Sequence, residues 1–499
     1  MNRIAGSVLL VLLVLLAGGC AMGPDYKRPV VETPEQFRVS AGTAAEVANT
    51  AWWQQFNDEQ MNTLVQRALA NNLDLAIASA RVEEYFGRYG VQRSQLFPQI
   101  GAGAQAGKQL ASEAAWPGIS SGVNPKSNAY LVNLGATWEI DLFGRLRRAT
   151  EAARADVLAT EEGWRGTILS LVSAVATSYI NLIDLDQQLE IARETVRARE
   201  ASKRIFELRF EGGAVSQVEL YQARADYETA LATIPTIERA IAQEENNLSV
   251  LIGRNPGTIA RGRRLDALPM IEVPAGLPSE LLERRPDLRQ AEQNLVAANA
   301  RIGVAKAAFF PVISLTGILG SASASLSDLF TGPARTWSYG AAISQPIFAG
   351  GFFTSQLAVA EAQQKQALAA YQRAIQNAFR EVNDALIEQQ KLREQLEAQQ
   401  RQVEALRGYA QLARLRYENG YTSYLEVTDA ETRLFNAELQ YTQARGELYL
   451  ALISTYKAMG GGWINVAAQS APQPGAPEKP APAAAKSAPA QPASAPAKP

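Results

Sequence analysis

The sequence predicts a mainly α-helical, internally duplicated fold in which each copy carries a pair of amphipathic strands. Three observations predict it. First, Leu96-Phe97-Pro98-Gln99-Ile100 returns as Phe309-Phe310-Pro311-Val312-Ile313, and Asp74-Leu75 returns as Asp287-Leu288, both offset by 213 residues. Arg209-Phe210-Glu211-Gly212-Gly213 returns as Arg416-Tyr417-Glu418-Asn419-Gly420, and Leu251-Ile252-Gly253 as Ala458-Met459-Gly460, offset by 207. Such a period is too long for a solenoid, so a whole structural unit is duplicated and one loop length makes the drift. Second, a run from Arg145 to about Arg209 contains no proline and keeps helical apolar spacing. Third, alternating segments precede that run and its copy.

The chain opens on an export signal at 1–19. Asn2-Arg3 is a short positive region, Val8 to Leu16 an apolar core, and Ala17-Gly18-Gly19 the small residues of a cleavage site. That core is too short to span a membrane. Cys20, the only cysteine, would become the first residue after cleavage. The pattern resembles a lipobox, with Ala17 where leucine is commonest, and predicts a covalent lipid on Cys20. An ordinary signal with a chance cysteine would look the same over so few residues. Ala21 is not aspartate, so by resemblance to lipoprotein sorting rules the protein goes to the outer membrane.

Residues 20–57 form an extended, Pro-rich N-terminal segment ending in Trp52-Trp53 and Phe56. The first repeat, 58–253, begins with helices near Asp58 to Ala70 and Leu73 to Leu96, the second stopped by Pro98. Strands follow at about 99–110 and 129–141. In the second, Tyr130, Val132, Leu134, Ala136 and Trp138 alternate with Leu131, Asn133, Gly135, Thr137 and Glu139. The long helix, 145–209, would reach about 100 Å at 1.5 Å per residue. Gly212-Gly213 ends it, and a return helix spans 215–251.

A connecting segment, 254–278, leads to the second repeat, 279–463. It has a short helix from Pro286 to Phe309, strands at about 312–323 and 337–347, a long helix at 351–417 and a return helix at 423–459. In each half the short and return helices together nearly match the long one, so they would stack end to end beside it. The remainder, 464–499, almost entirely Pro, Ala, Gln, Ser and Lys from Gln469 on, is expected to be disordered. It reads as an inert tether, with contact to anionic wall material as the alternative.

Four strands cannot close a barrel, and unpaired edges are not tolerated in lipid. If these strands cross a membrane, three chains give an allowed number, 12. Tyr130, Trp138, Trp337 and Tyr339 would then face lipid as girdle aromatics; in a soluble sheet they would be core.

Composition narrows the function. There is no histidine among 499 residues and only one cysteine, which removes His-based acid–base chemistry, Ser-His-Asp triads and nearly all zinc sites. Net charge is −2, which gives no sign of nucleic-acid binding. Nothing in the sequence places paired acids in a cleft, and with histidine absent no enzyme activity and no cofactor beyond the lipid are expected.

Gly23-Pro24-Asp25-Tyr26-Lys27-Arg28-Pro29 after Cys20, Leu281-Leu282-Glu283-Arg284-Arg285-Pro286-Asp287-Leu288, and Ala305-Lys306-Ala307-Ala308-Phe309-Phe310-Pro311 resemble the outer-membrane efflux lipoproteins of the TolC superfamily. The resemblance runs from the signal to about Trp463. It implies a homotrimer with a 12-stranded barrel in the outer membrane of a Gram-negative bacterium and a helical barrel crossing the periplasm. It implies a passive exit duct for drugs or other small molecules. A periplasmic adaptor and an inner-membrane pump of the RND type would be its partners. Substrates stay open among drugs, solvents, metals and siderophores. The alternatives are an outer-membrane component of type I secretion and a periplasmic coiled-coil adaptor or structural rod; adaptors lack duplicated hairpins bracketing paired strands.

The same resemblance places a periplasmic gate at the helix tips. Leu425 would be its apolar constriction and Asp429 an acidic ring, with Glu426 on the same face and Glu219 as the first-half counterpart. Tyr417 would tie neighbouring helices shut. Thr422 stands where TolC has an arginine of its closing network, so that salt bridge is not expected here. Glu219, Glu426 and Asp429 would equally suit the solvated face of a charge-rich helix. Gly212, Gly213, Asn419 and Gly420 make the turns, where an adaptor would dock, and the three glycines are expected at positive φ.

Overall fold

The computed structural model describes residues 21–31, 37, 51–110, 126–271, 281–460, 463–471, 473 and 474. The signal, Cys20 and most of the Pro/Ala-rich tail lie outside the described residues.

The first unit contains α1 (Glu59–Asn71), α2 (Leu73–Ser94), β1 (Gln99–Leu110), β2 (Lys126–Ile140), the long helix α3 (Arg145–Glu211) and its return α4 (Gln217–Leu251). The second contains α5 (Pro286–Ala307), β3 (Val312–Ser323), β4 (Arg335–Ser344), the long helix α6 (Phe352–Glu418) and its return α7 (Tyr424–Met459), followed by α8 (Trp463–Ala468). The two long helices have 67 residues each. Gly144 and Gly351, 207 apart, precede them in the left-handed region at φ 78° and 84°. The drift in offset therefore lies within the strand hairpins.

Capping fixes where the helices start. Asp58 precedes α1, and its Oδ1 accepts from the backbone N–H of Gln60 at 2.8 Å and Met61 at 3.0 Å. Asp58 is fully buried, and its Oδ2 accepts from the Tyr179 hydroxyl at 3.0 Å and the Arg263 N–H at 2.7 Å. Four donors offset the desolvation of that carboxylate. Proline opens α5, where its missing N–H costs nothing. Pro235 sits inside α4, and the helix runs through it, without the bond to the Leu231 carbonyl that an N–H would make.

The short helices do stack on the returns. Asn72, the cap of α2, donates from Nδ2 to the carbonyl of Leu251 at the end of α4, at 2.9 Å. Arg285, the cap of α5, donates from Nη1 to the carbonyl of Ala458 near the end of α7, also at 2.9 Å. Each half therefore presents two near-equal rods.

The largest core lies at these junctions. Trp52, Phe56, Met61, Tyr179, Tyr449 and Trp463 are buried in one cluster with the apolar stretch of α3. Trp52 stacks on Tyr456 with ring centroids 5.1 Å apart and meets Trp463 edge-on. Ordered chain continues past the expected boundary at Trp463. Ile464, Ala467 and Ala468 of α8 join this cluster, so local apolar packing overrides the onset of tail composition.

The four strands form one antiparallel sheet in the order β1-β2-β3-β4. Register pairs Leu134 with Ala102 and Leu319, and Leu319 with Trp337. One face therefore carries Ile100, Tyr130, Val132, Leu134, Trp138, Leu315, Leu319, Trp337, Tyr339 and Ile343. The other carries Gln105, Asn133, Thr137, Glu139, Thr316, Ser338 and several glycines. The four aromatics expected to face lipid share the apolar face, and both edge strands β1 and β4 lack a partner within the chain. Glu139, the one acid in the strands, forms a bidentate ion pair with Arg145 at 2.7–3.0 Å.

The candidate gate at the helix tips

At the far end from the sheet, the two hairpins meet through a small apolar cluster. Phe206, Leu220, Ala223, Ala413, Tyr424, Val427 and Ala430 are buried there, with Tyr417 packed against them. Phe206 of α3 lies 4.2 Å from the Tyr424 ring and 6.1 Å, stacked, from Tyr417. Tyr417 packs where the two hairpins of one chain meet, against Phe206 of the first and Tyr424 of the second. Burial and the carboxylate of Glu219 push its hydroxyl pKa up, against the pull of Arg209.

The turns are built on glycine, but not on every glycine expected. Gly213 and Gly420 take φ 68° and 78°, in the left-handed region where a Cβ is penalised. Gly212 does not. Its φ is −81°, because it is the helix cap and the reversal falls one residue later. Asn419 occupies the same cap in the second hairpin at φ −93°, and its side chain donates to the Leu415 carbonyl at 2.7 Å.

The acidic residues divide. Glu219 completes a capping box: its carboxylate accepts from the Ser216 N–H at 2.8 Å, while Ser216 Oγ accepts from the Glu219 N–H at 3.3 Å. Glu426 is held by Arg416 at 3.1 Å and by the Thr422 hydroxyl. An arginine therefore does pair at this place, reaching from the long helix rather than from the turn. Asp429 pairs with Arg433, one turn on, at 2.9 Å and keeps a half-exposed side chain. Leu425 is 64% exposed on the protomer.

Sequence reading missed what lies just behind the tips. Arg199 of α3 is buried, with Nη1 2.9 Å from Glu431 Oε2 in an ion pair, and 3.8 Å from Asp226. Glu431 also pairs with Arg414 of α6, and Thr428 donates to Asp226 at 3.1 Å. Burial raises the Asp226 pKa, and Arg199 opposes it. One network thus joins α3, α4, α6 and α7. No spacing signal marks it, because its members come from four separate helices.

At the opposite end of α3 the N-terminal segment is strapped to the rods. Met22 donates to the Phe143 carbonyl at 3.0 Å, and Arg148 pairs with Asp25 at 2.6 Å. Asn299 donates to the Pro24 carbonyl at 2.8 Å, and Arg28 pairs with Glu283 at 2.7 Å. Gly23, at φ 93°, is so close to Gly303 that a Cβ there would lie 2.4 Å from its Cα. Ala21 touches Gly144, directly below the sheet.

This arrangement has counterparts among known proteins. Residues 64–254 and 277–461 match the model of the outer membrane efflux protein family, one match per repeat. The cation efflux system protein CusC of Escherichia coli O6:H1 is 39% identical over 462 residues, covering 90% of this chain and 97% of that protein. The probable outer membrane lipoprotein SilC of Salmonella typhimurium is 35% identical over 457 residues, covering 91% and 97%. The crystal structure of the open state of the Neisseria gonorrhoeae MtrE outer membrane channel superposes with a TM-score of 0.80 at 33% identity, covering 89% of this chain and 99% of that one. Three copies close the 12-stranded barrel that one sheet cannot, and the rods form the periplasmic helical barrel below it. The chain belongs to the outer membrane efflux protein family, the TolC-superfamily channels through which tripartite efflux pumps discharge across the outer membrane.

Proposed function

We propose that the second hairpin tips of three copies form the periplasmic constriction of this channel, with Leu425 as its apolar ring and Asp429 as its acidic ring. The observation that carries this is the position of Leu425. It stands exposed between Tyr424, buried in the tip cluster, and Glu426, braced by Arg416. A large apolar side chain held outward on so firmly fixed a turn is available to its symmetry mates. Asp429 follows one turn later, and three like charges about one axis repel each other and attract cations. Glu426 acts as a latch whose release lets the tip move.

The duct is passive. A periplasmic adaptor docks on the turns around Gly212-Gly213 and Asn419-Gly420, and an inner-membrane pump of the RND type supplies the energy. CusC is named for cation efflux, which brings cations into the range of substrates here. Cys20 carries the lipid. Ala21 is strapped beneath the sheet, and SilC is named a probable outer membrane lipoprotein.

The test of the gate is conductance. Leu425→Ala with Asp429→Ala should raise single-channel conductance of the trimer in planar bilayers, and an unchanged conductance would reject the assignment. For the lipid, Cys20→Ser should weaken membrane anchoring before trimer assembly; a fully active, correctly fractionated variant would show the lipid to be dispensable.

A further inference from the structure

We infer that the outer rim of the barrel is a docking belt for the phosphate groups of outer-leaflet lipopolysaccharide. The inference rests on the barrel, whose apolar face must meet lipid. On that face each strand alternates, so residues paired across strands share it. Lys108 pairs with Asn128, Lys126 with Leu110, and Arg335 with Ser321, all in the register of Tyr130, Leu134 and Leu319. All three cations therefore point outward, and all three are exposed.

Their position along the strands is equally one-sided. Lys126 and Arg335 are the first residues of β2 and β4, and Lys108 is two residues from the end of β1. These ends are opposite the helices and so face the outside of the cell. The outward face carries no acid in any of the four strands. Among the described residues, neither Lys108 nor Arg335 is paired with a carboxylate. At the periplasmic end Arg145 is paired with Glu139 and Arg147 with Asp141, and the outward face there is Trp138, Ile140, Ile313 and Ile343.

Below Arg335 on the same face Trp337 stacks on Tyr339, with centroids 5.6 Å apart. An aromatic pair below an exposed cation on the lipid face is suited to a lipid whose acyl chains lie against the rings and whose head group carries negative charge. The trimer offers nine such cations towards its outer end, with Arg335 at the level of Val132 and Lys108 and Lys126 farther out. Phosphates concentrated in a single leaflet match a belt present at one end only. Phospholipid in both leaflets would give no reason for that asymmetry.

The test uses the purified full-length trimer in detergent. Binding is measured with phosphorylated lipid A, with the same lipid after phosphatase treatment, and with phosphatidylglycerol. Phosphorylated lipid A should bind about a hundredfold more tightly than its dephosphorylated form, as expected for a few membrane-surface charges per site. The variant K108Q/K126Q/R335Q should lose that preference, and K108R/K126R/R335K should keep it. Equal binding of the two lipid A forms by the unaltered trimer would overturn the belt without any variant. A glutamine variant that retains the preference would overturn the assignment of residues. Phosphatidylglycerol binding as tightly as phosphorylated lipid A would overturn lipopolysaccharide as the occupant. Bilayer conductance of the same preparation separates failure of the belt from failure of the barrel.

Discussion

The two hairpin tips descend from one ancestral unit and use the same glutamate for different purposes. Glu219 and Glu426 are 207 residues apart, each at the third position of its return helix. At the first tip the glutamate folds back on Ser216 and completes a local cap. At the second, Ser423 makes no side-chain cap bond, and the glutamate reaches out to Arg416 and Thr422. The first tip is held by its own backbone. The second is held by a brace between its two arms, and a brace can be released without unwinding the helix. Duplication therefore supplied two like scaffolds, and the constriction proposed at Leu425 sits on the one whose cap was exchanged for an ion pair.

The largest expected effect comes from removing what both tips share. Phe206 is buried between Tyr417 and Tyr424. Phe206→Ala should cost about 3–5 kcal/mol locally, as for a large aromatic removed from a packed site. Amide exchange on the trimer should then accelerate at both tips while the junction core around Trp52 stays protected. Acceleration confined to the first hairpin would show that the tips are not coupled through this ring.

The next effect separates the turns. Gly420→Ala places a Cβ at φ 78° and should cost about 1–2 kcal/mol. Gly212→Ala, at φ −81°, should be neutral or stabilising by about 0.4–1 kcal/mol. Thermal unfolding of the two variants side by side checks this. Equal losses would mean that the turn tolerates neither residue for reasons other than backbone conformation.

That pair of glycines also marks the limit of what the sequence discloses. Helix existence, strand pairs and duplication were legible, because proline-free runs and period-2 alternation are local signals repeated twice. Gly212 was misjudged because a Gly-Gly pair does not say which member takes the left-handed conformation. The Arg199, Asp226, Arg414 and Glu431 network was illegible, since its members meet only when four helices pack. Arg416 was equally hidden. Thr422 stands where the family resemblance would place an arginine, and the arginine that pairs with Glu426 lies ten residues before it, across the turn. Alignment to a family pattern finds positions and misses substitutes that arrive from another strand of the hairpin.

The smallest effect on stability is the sharpest on mechanism. Glu219→Ala removes a capping box, worth about 1 kcal/mol. Glu426→Ala removes an ion pair whose arginine is half exposed, worth about 0–1 kcal/mol once solvent screening is counted. Melting curves should hardly tell the two variants apart. Conductance should: freeing the second tip lets Leu425 swing from the axis, whereas loosening the first cap leaves the constriction in place. We expect a rise in open-channel events for Glu426→Ala and Arg416→Ala alike, and none for Glu219→Ala. Identical traces from all three variants would mean that the brace is only a cap of another kind, and that the two tips remain equivalent in function as well as in descent.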